Sequence, residues 1–261
     1  MYKKVKTRHH NGHVYEVNKY PYGRPCLGGQ GNVYGRYSWR VKLNGHGYHY
    51  GVDLGGKAYE GTPIFASGSG VVSFSGYFNS GYGNQIIIDH GKNAGWNLQS
   101  TYSHLHKRLV QKGQKVRKGQ IIALMGGNPV DRPWCGSSTE AHLHFEFRIN
   151  GRAVDPMVFL SDTFFFQIGY PYSRYYKPSG HTSSKRLAKS PFLSQGRLNG
   201  KVITSSWMLA SDLMDLGFGV PKSLINENGY SPIRDVAELN GFDVCWEPTQ
   251  KYIILTRKAT V

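Results

Sequence analysis

The stretch Ala141-His142-Leu143-His144-Phe145-Glu146-Phe147-Arg148-Ile149 alternates polar and apolar residues along its whole length. A period of two is the pattern of a strand with one face buried. Leu143, Phe145, Phe147 and Ile149 then point into a core, and His142, His144, Glu146 and Arg148 share the other face. Two histidines on one face stand about 6.6 Å apart along the strand, close enough to serve one small site. Alone they read first as a pair of solvated surface residues, so the surrounding chain decides their meaning.

Working outward, short strand candidates follow one another between glycines. They are Thr62–Ala66, Gly70–Phe74, Asn84–Asp89, Leu98–Tyr102 and Gly119–Leu124, with Asn150-Gly151 as a type I′ hairpin turn into Arg152–Val154. No helical period of useful length interrupts them, so residues 46–160 read as an antiparallel all-β domain. Residues 1–45 are rich in Tyr, Gly and basic residues and read as a segment packing on that domain, with one strand expected at Tyr37–Leu43. Residues 161–195, containing Lys177-Pro178-Ser179-Gly180-His181, read as a linker in which His181 is solvated.

From residue 196 to residue 261 the pattern becomes that of a small α+β domain. A helix is expected from Ser205 or Ser206 to Leu216, stopped by Gly217, and a second from Ser231-Pro232 to Asn240-Gly241. Strands Phe242–Trp246 and Tyr252–Thr256 follow, with Cys245 on one strand face.

Composition narrows the function classes. The chain of 261 residues has 33 glycines and 13% aromatics, which favours short strands and tight turns. The net charge is +16, carried by twenty basic against eight acidic residues in 1–160, five against one in 161–190, and seven against seven in 191–261. An anionic partner is implied for the first two thirds. The basic residues lie scattered, without a nucleic-acid-binding motif, which argues against nucleic acid as the main target. No run of eighteen apolar residues occurs, so no membrane span is expected, and the charged start Met1–Lys6 lacks the apolar stretch of a signal peptide. Cys26, Cys135 and Cys245 form no metal or disulfide ladder and read as free thiols. Oligomeric state is not readable.

A second cluster, His49-Tyr50-Gly51-Val52-Asp53, completes a candidate metal site with a distant histidine. Glycines argue against a helix here, and a fully extended chain would separate His49 from Asp53 by about 13 Å. A bend at Gly51 is therefore expected. Two imidazoles and a carboxylate suit zinc with a fourth position open to water, whose pKa such a site lowers to about 7.

His49-x-x-x-Asp53, Gly61–Ala66, Gly70–Val72, Gly81–Asn84, Tyr102-Ser103-His104-Leu105 and His142–Glu146 occur in the order found in lysostaphin/LytM-type peptidoglycan metalloendopeptidases, which residues 45–160 resemble. The resemblance implies one Zn2+ held by His49, Asp53 and His144, with His104 and His142 as general acid/base and oxyanion stabiliser. His46 and His106 are rival candidates by proximity, His90 matches a structural position, and Glu146 is either a partner of a ligand or a solvated or salt-bridged carboxylate. The family usually carries Gly-Pro or similar before the last motif, where this chain has Glu140-Ala141, so the shape of the entry loop differs. The loop Gly127–Ser138 reads as a groove wall with Trp134 as a contact.

Residues 196–257 resemble the copper amine oxidase N-terminal-like (stalk) domain, which implies attachment or association without copper chemistry. Together these resemblances imply a zinc endopeptidase acting on peptidoglycan and drawn to anionic wall polymers. They suggest a bacteriophage lysin, present in the host cytoplasm before reaching the wall, or carried on the virion. The competing reading is a catalytically silent wall-binding or regulatory module on the same fold.

Overall fold

The computed structural model describes residues 2–20, 22–26, 29–56, 60–128, 135–161, 163–167, 196–198, 201–203, 207–209, 219–225, 230–247 and 252–258. The main sheet is antiparallel and has the histidine strand, Leu143–Ile149, near its middle. On one side of it lie Trp96–Ser103, Gly83–Asn93, Gly70–Phe78 and Lys115–Val116, and on the other Val52–Gly56 and Gly29–Gln30. Arg152–Val154 also pairs with the histidine strand through the Asn150-Gly151 turn, whose two residues have φ of 47° and 78° as a type I′ turn requires. A second sheet of three strands, Leu105–Arg108, Ile121–Met125 and Pro63–Phe65, packs beside it. The expected antiparallel β domain is present, and its strands run beyond the expected limits at several ends.

Burial follows the alternation that predicted it. Leu143, Phe145, Phe147 and Ile149 are all fully buried in one core with Val52, Leu54, Ile86, Ile88 and Tyr102. Phe147 packs edge-on against Phe145 and Tyr22 and lies 4.8 Å, ring to ring, from Phe159. The N-terminal segment closes this core rather than standing apart. Its hairpin of Lys4–Arg8 and Val14–Asn18 contributes Tyr15 and Val17, and the chain beyond adds Tyr22 and Cys26.

Three expectations are corrected. Tyr37–Leu43 is not a strand: Ser38–Arg40 forms a 3-10 turn and Val41–Asn44 a short α-helix, ended by Gly45 at φ 76°. The apolar alternation there did not record burial, since Trp39 is 49% and Val41 40% exposed. The helix expected from residue 205 is a strand at Trp207–Leu209, paired with Tyr230–Pro232, so sheet pairing overrides a helical spacing of apolar residues. The rest of that helix lies outside the described residues. Thr163–Gln167, expected in the linker, is a strand paired with Tyr252–Arg257, as its run of three phenylalanines favours.

The C-terminal part is otherwise a small α+β unit, as expected. Helix Ile233–Leu239 buries Ile233, Val236 and Ala237 and ends at Asn240, before Gly241 at φ 79°. Strands Phe242–Glu247 and Tyr252–Arg257 pair after it, with Phe242 and Leu255 buried. The linker from residue 168 to 195, with His181, lies outside the described residues, as do Trp134 and the middle of its loop.

Because Phe147 is fully buried at the junction of the sheet and the N-terminal segment, Phe147→Ala is expected to cost about 3–5 kcal/mol in urea unfolding monitored on the β domain. A loss below about 1 kcal/mol would show that this junction does not carry the fold.

Candidate active site

Register brings the site together. His144 stands directly opposite Asp53 on one neighbouring strand and opposite Ser103 on the other. Opposed residues of antiparallel strands project to the same face, so the Asp53 carboxylate and the His144 ring meet across the sheet. His104 follows Ser103 at the point where the chain leaves the main sheet for the second one. It makes that passage with φ of 61°, a left-handed backbone that a non-glycine residue adopts at a cost of about 1–3 kcal/mol.

His49 arrives by the expected bend. Tyr48–His49 and Val52–Gly56 are separate strands broken at residues 50–51. The reason for glycine differs from the expected one, because space rather than backbone freedom is scarce at Gly51. A Cβ there would meet the Phe145 carbonyl oxygen and stand 2.9 Å from both His144 Nε2 and Glu146 Cγ.

His49 Nε2, Asp53 Oδ1 and His144 Nδ1 converge, with separations of 3.0 Å for His49 to Asp53, 2.9 Å for His49 to His144 and 3.1 Å for His144 to Asp53. All three residues are buried. The outer nitrogens determine which atoms face inward. His49 Nδ1–H donates to the Val33 carbonyl at 2.9 Å, and His144 Nε2–H donates to Glu146 Oε1 at 3.0 Å. With those protons committed, two lone pairs and a carboxylate oxygen point at one another. Only a cation between them, or a proton on one of them, relieves that arrangement. Ligands at about 2.0–2.1 Å on a tetrahedron stand about 3.3 Å apart, close to the separations found. The cluster is that of a single divalent metal site.

Electrostatics point the same way. Burial alone would lower the pKa of His144, but hydrogen bonds to Asp53 and Glu146 carry it up to about 9. Burial would raise Asp53, yet the contacts with His144 and His49 hold it well below the usual carboxylate range. A proton and a metal cation therefore compete for the same lone pair on His144. Glu146 is fully buried, so it is not the solvated carboxylate of the alternative reading. Besides His144 it accepts from Tyr82 Oη at 2.8 Å and from Arg148 Nε at 2.6 Å. Burial opposes its ionisation, but the His144 hydrogen bond and the Arg148 charge hold its pKa down to about 2. A buried carboxylate on the outer nitrogen of a ligand histidine fixes the ring's tautomer and raises its basicity.

His104 and His142 lie beside the cluster, with ring centroids 4.9 Å apart, and His104 is 5.8 Å from His144. Each donates Nδ1–H to a backbone carbonyl: His104 to Cys135 at 2.7 Å and His142 to Glu140 at 2.9 Å. Each therefore presents an unprotonated Nε2, and that of His142 lies 3.6 Å from Asp53 Oδ1. Burial, then the neighbouring His144 and His142, hold the His104 pKa down to about 3. Burial also lowers His142, which keeps 17% of its side chain exposed.

His46, His106 and His90 fall elsewhere. His46 is exposed and accepts from the Tyr48 amide, His106 pairs with Glu60 at 3.1 Å, and His90 bridges Ser69 and Ser100 in the structural role expected of it. Cys26 and Cys135 are buried free thiols, and Cys135 enters the site through its carbonyl.

Sequence reasoning missed the part played by the N-terminal segment. Asn32 Nδ2 donates to Asp53 Oδ2 at 3.1 Å, and Arg40 Nη2 lies 3.6 Å from the same oxygen. The Asn32 carbonyl accepts from the Asp53 amide. No motif marks these residues, because they reach the site only through the fold. Tyr82 was within reach of inference, since it lies in the quoted Gly81–Asn84 segment. The cluster opens into a cavity of about 330 Å³. Asn32, Trp39 and Arg40 form one wall and residues 137–141 the other, which includes the Glu140-Ala141 pair that sets this loop apart.

Parts of the chain are similar to known proteins. The model of peptidase family M23 matches residues 47–156, which include His49, Asp53, His104, His142 and His144. An uncharacterized metalloprotease of Haemophilus influenzae is 42% identical over 109 residues, covering 42% of this chain and 20% of that protein. The peptidoglycan DD-endopeptidase ShyC of Vibrio cholerae is 40% identical over 108 residues, covering 41% of this chain and 22% of that protein. The chain thus spans about a fifth of the length of these two relatives. Among solved structures, the catalytic domain of lysostaphin from Staphylococcus simulans has 38% sequence identity over 50% of this chain and 90% of its own, with a TM-score of 0.41.

Two substitutions test how the site is held. Gly51→Ala is expected to displace His144 from Glu146 and to weaken metal binding about 10–100-fold in chelator competition, with about 1–3 kcal/mol of destabilisation. Glu146→Gln, which leaves Arg148 without its carboxylate, is expected to weaken metal binding by about 10–100-fold. Metal affinity unchanged in both variants would remove the outer contacts from the account of the site.

Proposed function

We propose that the chain is a member of peptidase family M23, whose model matches residues 47–156, and that it is a zinc-dependent endopeptidase hydrolysing peptide bonds in bacterial peptidoglycan. The observation that carries this reading is the convergence of His49 Nε2, Asp53 Oδ1 and His144 Nδ1, with their protons committed elsewhere, at the floor of an open cavity. Zinc is the metal of choice for two imidazoles, one carboxylate and an open position. When bound, it supplies a Lewis acid for the scissile carbonyl and lowers the pKa of water there to about 7.

The two neighbouring histidines divide the proton chemistry. His104, buried and held neutral, serves as a hydrogen-bond acceptor that orients the nucleophile through Nε2. His142, more exposed and facing Asp53, is the proton carrier: its Nε2 takes the proton from the nucleophile and delivers it to the leaving amine. Once protonated, the same Nε2–H is a donor to charge developing on the substrate. Glu140 and Cys135 carbonyls hold both rings in the required tautomer throughout.

The basic character of residues 1–190 supports attraction to anionic wall polymers. We propose further that the α+β part attaches or spaces the peptidase at the wall as a stalk-like domain, and that the protein is a phage lysin reaching the wall from the host cytoplasm or on a virion. The silent-module alternative predicts wall binding without hydrolysis.

A zymogram on cell walls with metal analysis separates the two. One zinc per chain and clearing abolished by chelator and by His144→Ala are expected, with His142→Ala keeping its zinc and losing about 10²–10⁴-fold in rate. Wall binding without clearing by a fully zinc-loaded protein would overturn the peptidase reading. Mass spectrometry of released muropeptides then identifies the bond.

A further inference from the structure

Arg40 occupies a position that the reaction as described does not use. It ends the 3-10 turn Ser38–Arg40 and lines the cavity, with 20% of its side chain exposed. Its guanidinium carbon lies 4.6 Å from the Trp39 ring centroid and 5.9 Å from that of Tyr37, so two aromatic side chains of its own turn hold it in place.

Among the described residues its charge is only partly matched. A guanidinium offers five N–H donors in a planar fork. Among the described residues its ion-pair contact is Nη2 to Asp53 Oδ2 at 3.6 Å, longer than a hydrogen bond, and its Nε is buried without a hydrogen-bond partner. Asp53 is in turn already engaged. Oδ1 faces the histidines, and Oδ2 accepts from Asn32 at 3.1 Å. Glu146 is neutralised by Arg148 on the far side of His144. The cavity wall therefore carries a preorganised cation, stacked on an exposed tryptophan, beside the reacting centre. With its Nε sealed from solvent, a guanidinium that lines the cavity offers an anion its two Nη groups, whose parallel N–H bonds match the two oxygens of a carboxylate.

We infer that Arg40 is a specificity-determining residue that binds a free carboxylate of the substrate peptide within about one residue of the bond to be cleaved. This inference rests on the peptidase reading above and narrows its substrate class. Peptides with a carboxylate flanking the scissile amide, such as a C-terminal D-amino acid or a diamino acid with a free α-carboxylate, would be preferred over an interior Gly-Gly bond, which has none. The competing role is a structural one, with Arg40 merely bracing Asp53.

Binding to D-Ala-D-Ala and to its C-terminal carboxamide, measured by isothermal titration calorimetry on the zinc-loaded protein, tests the inference. The wild type is expected to prefer the free acid by about tenfold or more, the scale of one charge-assisted hydrogen-bonded contact. Arg40→Gln is expected to abolish most of that preference by weakening the acid alone, with zinc content unchanged. Arg40→Lys, which keeps the charge without the fork, is expected to fall between them. The inference is overturned if the wild type shows no preference. It is equally overturned if the preference survives in Arg40→Gln, or if acid and amide weaken together with loss of zinc, the result expected of a brace for Asp53. Binding is read whether or not a bond is cleaved, so the two claims fail separately. A protein with the preference that clears no wall sinks the peptidase reading, and one that clears walls without the preference sinks this inference alone.

Discussion

Two imidazole lone pairs and a carboxylate oxygen held about 3 Å apart in a buried place are the arrangement on which the rest of this structure depends. Left unrelieved it is costly, and the protein imposes it from outside. The Val33 carbonyl takes one ring's outer proton, and the fully buried Glu146 takes the other. Tyr82 and Arg148 then hold Glu146, so the chain of contacts runs from the metal-type cluster outward into the sheet. Each link fixes a tautomer or a charge state that the next link inward requires.

The same economy explains the N-terminal segment. The Oδ2 side of Asp53 faces the N-terminal segment. The segment covers it with Asn32 and Arg40, while Tyr15, Val17 and Tyr22 seal the core beneath. One stretch of chain thus closes the fold and builds a cavity wall. The opposite wall, residues 137–141, holds His142 through the Glu140 carbonyl, so the Glu140-Ala141 pair bears directly on the orientation of a candidate proton carrier.

Legibility varied with the kind of signal. The period of two from His142 to Ile149 was readable because core burial enforces it, and four of its apolar side chains are fully buried. The like alternation at Tyr37–Leu43 misled, because on an exposed segment nothing ties apolar residues to one face. Apolar spacing around Met208 and Leu209 suggested a helix, but pairing with Tyr230–Pro232 made Trp207–Leu209 a strand. Gly51 was singled out correctly for a reason that proved incomplete, since crowding against Phe145, Glu146 and His144 is visible only in three dimensions.

From residue types and their order alone follow the antiparallel β domain and the α+β part after it, while the set His49, Asp53, His104, His142 and His144 followed from motifs in the order found in the lysostaphin/LytM-type family. These are properties of local pattern, and a short motif records them because chemistry demands particular donors. The tertiary structure decided that Glu146 is buried between His144 and Arg148, which ring nitrogens face the centre, and that Asn32 and Arg40 flank Asp53. Those facts depend on register and on contacts between segments far apart in the chain, such as the pairing of His144 with Asp53 across ninety-one positions. No local pattern encodes a partner at that separation, because only the packed core brings the two strands side by side.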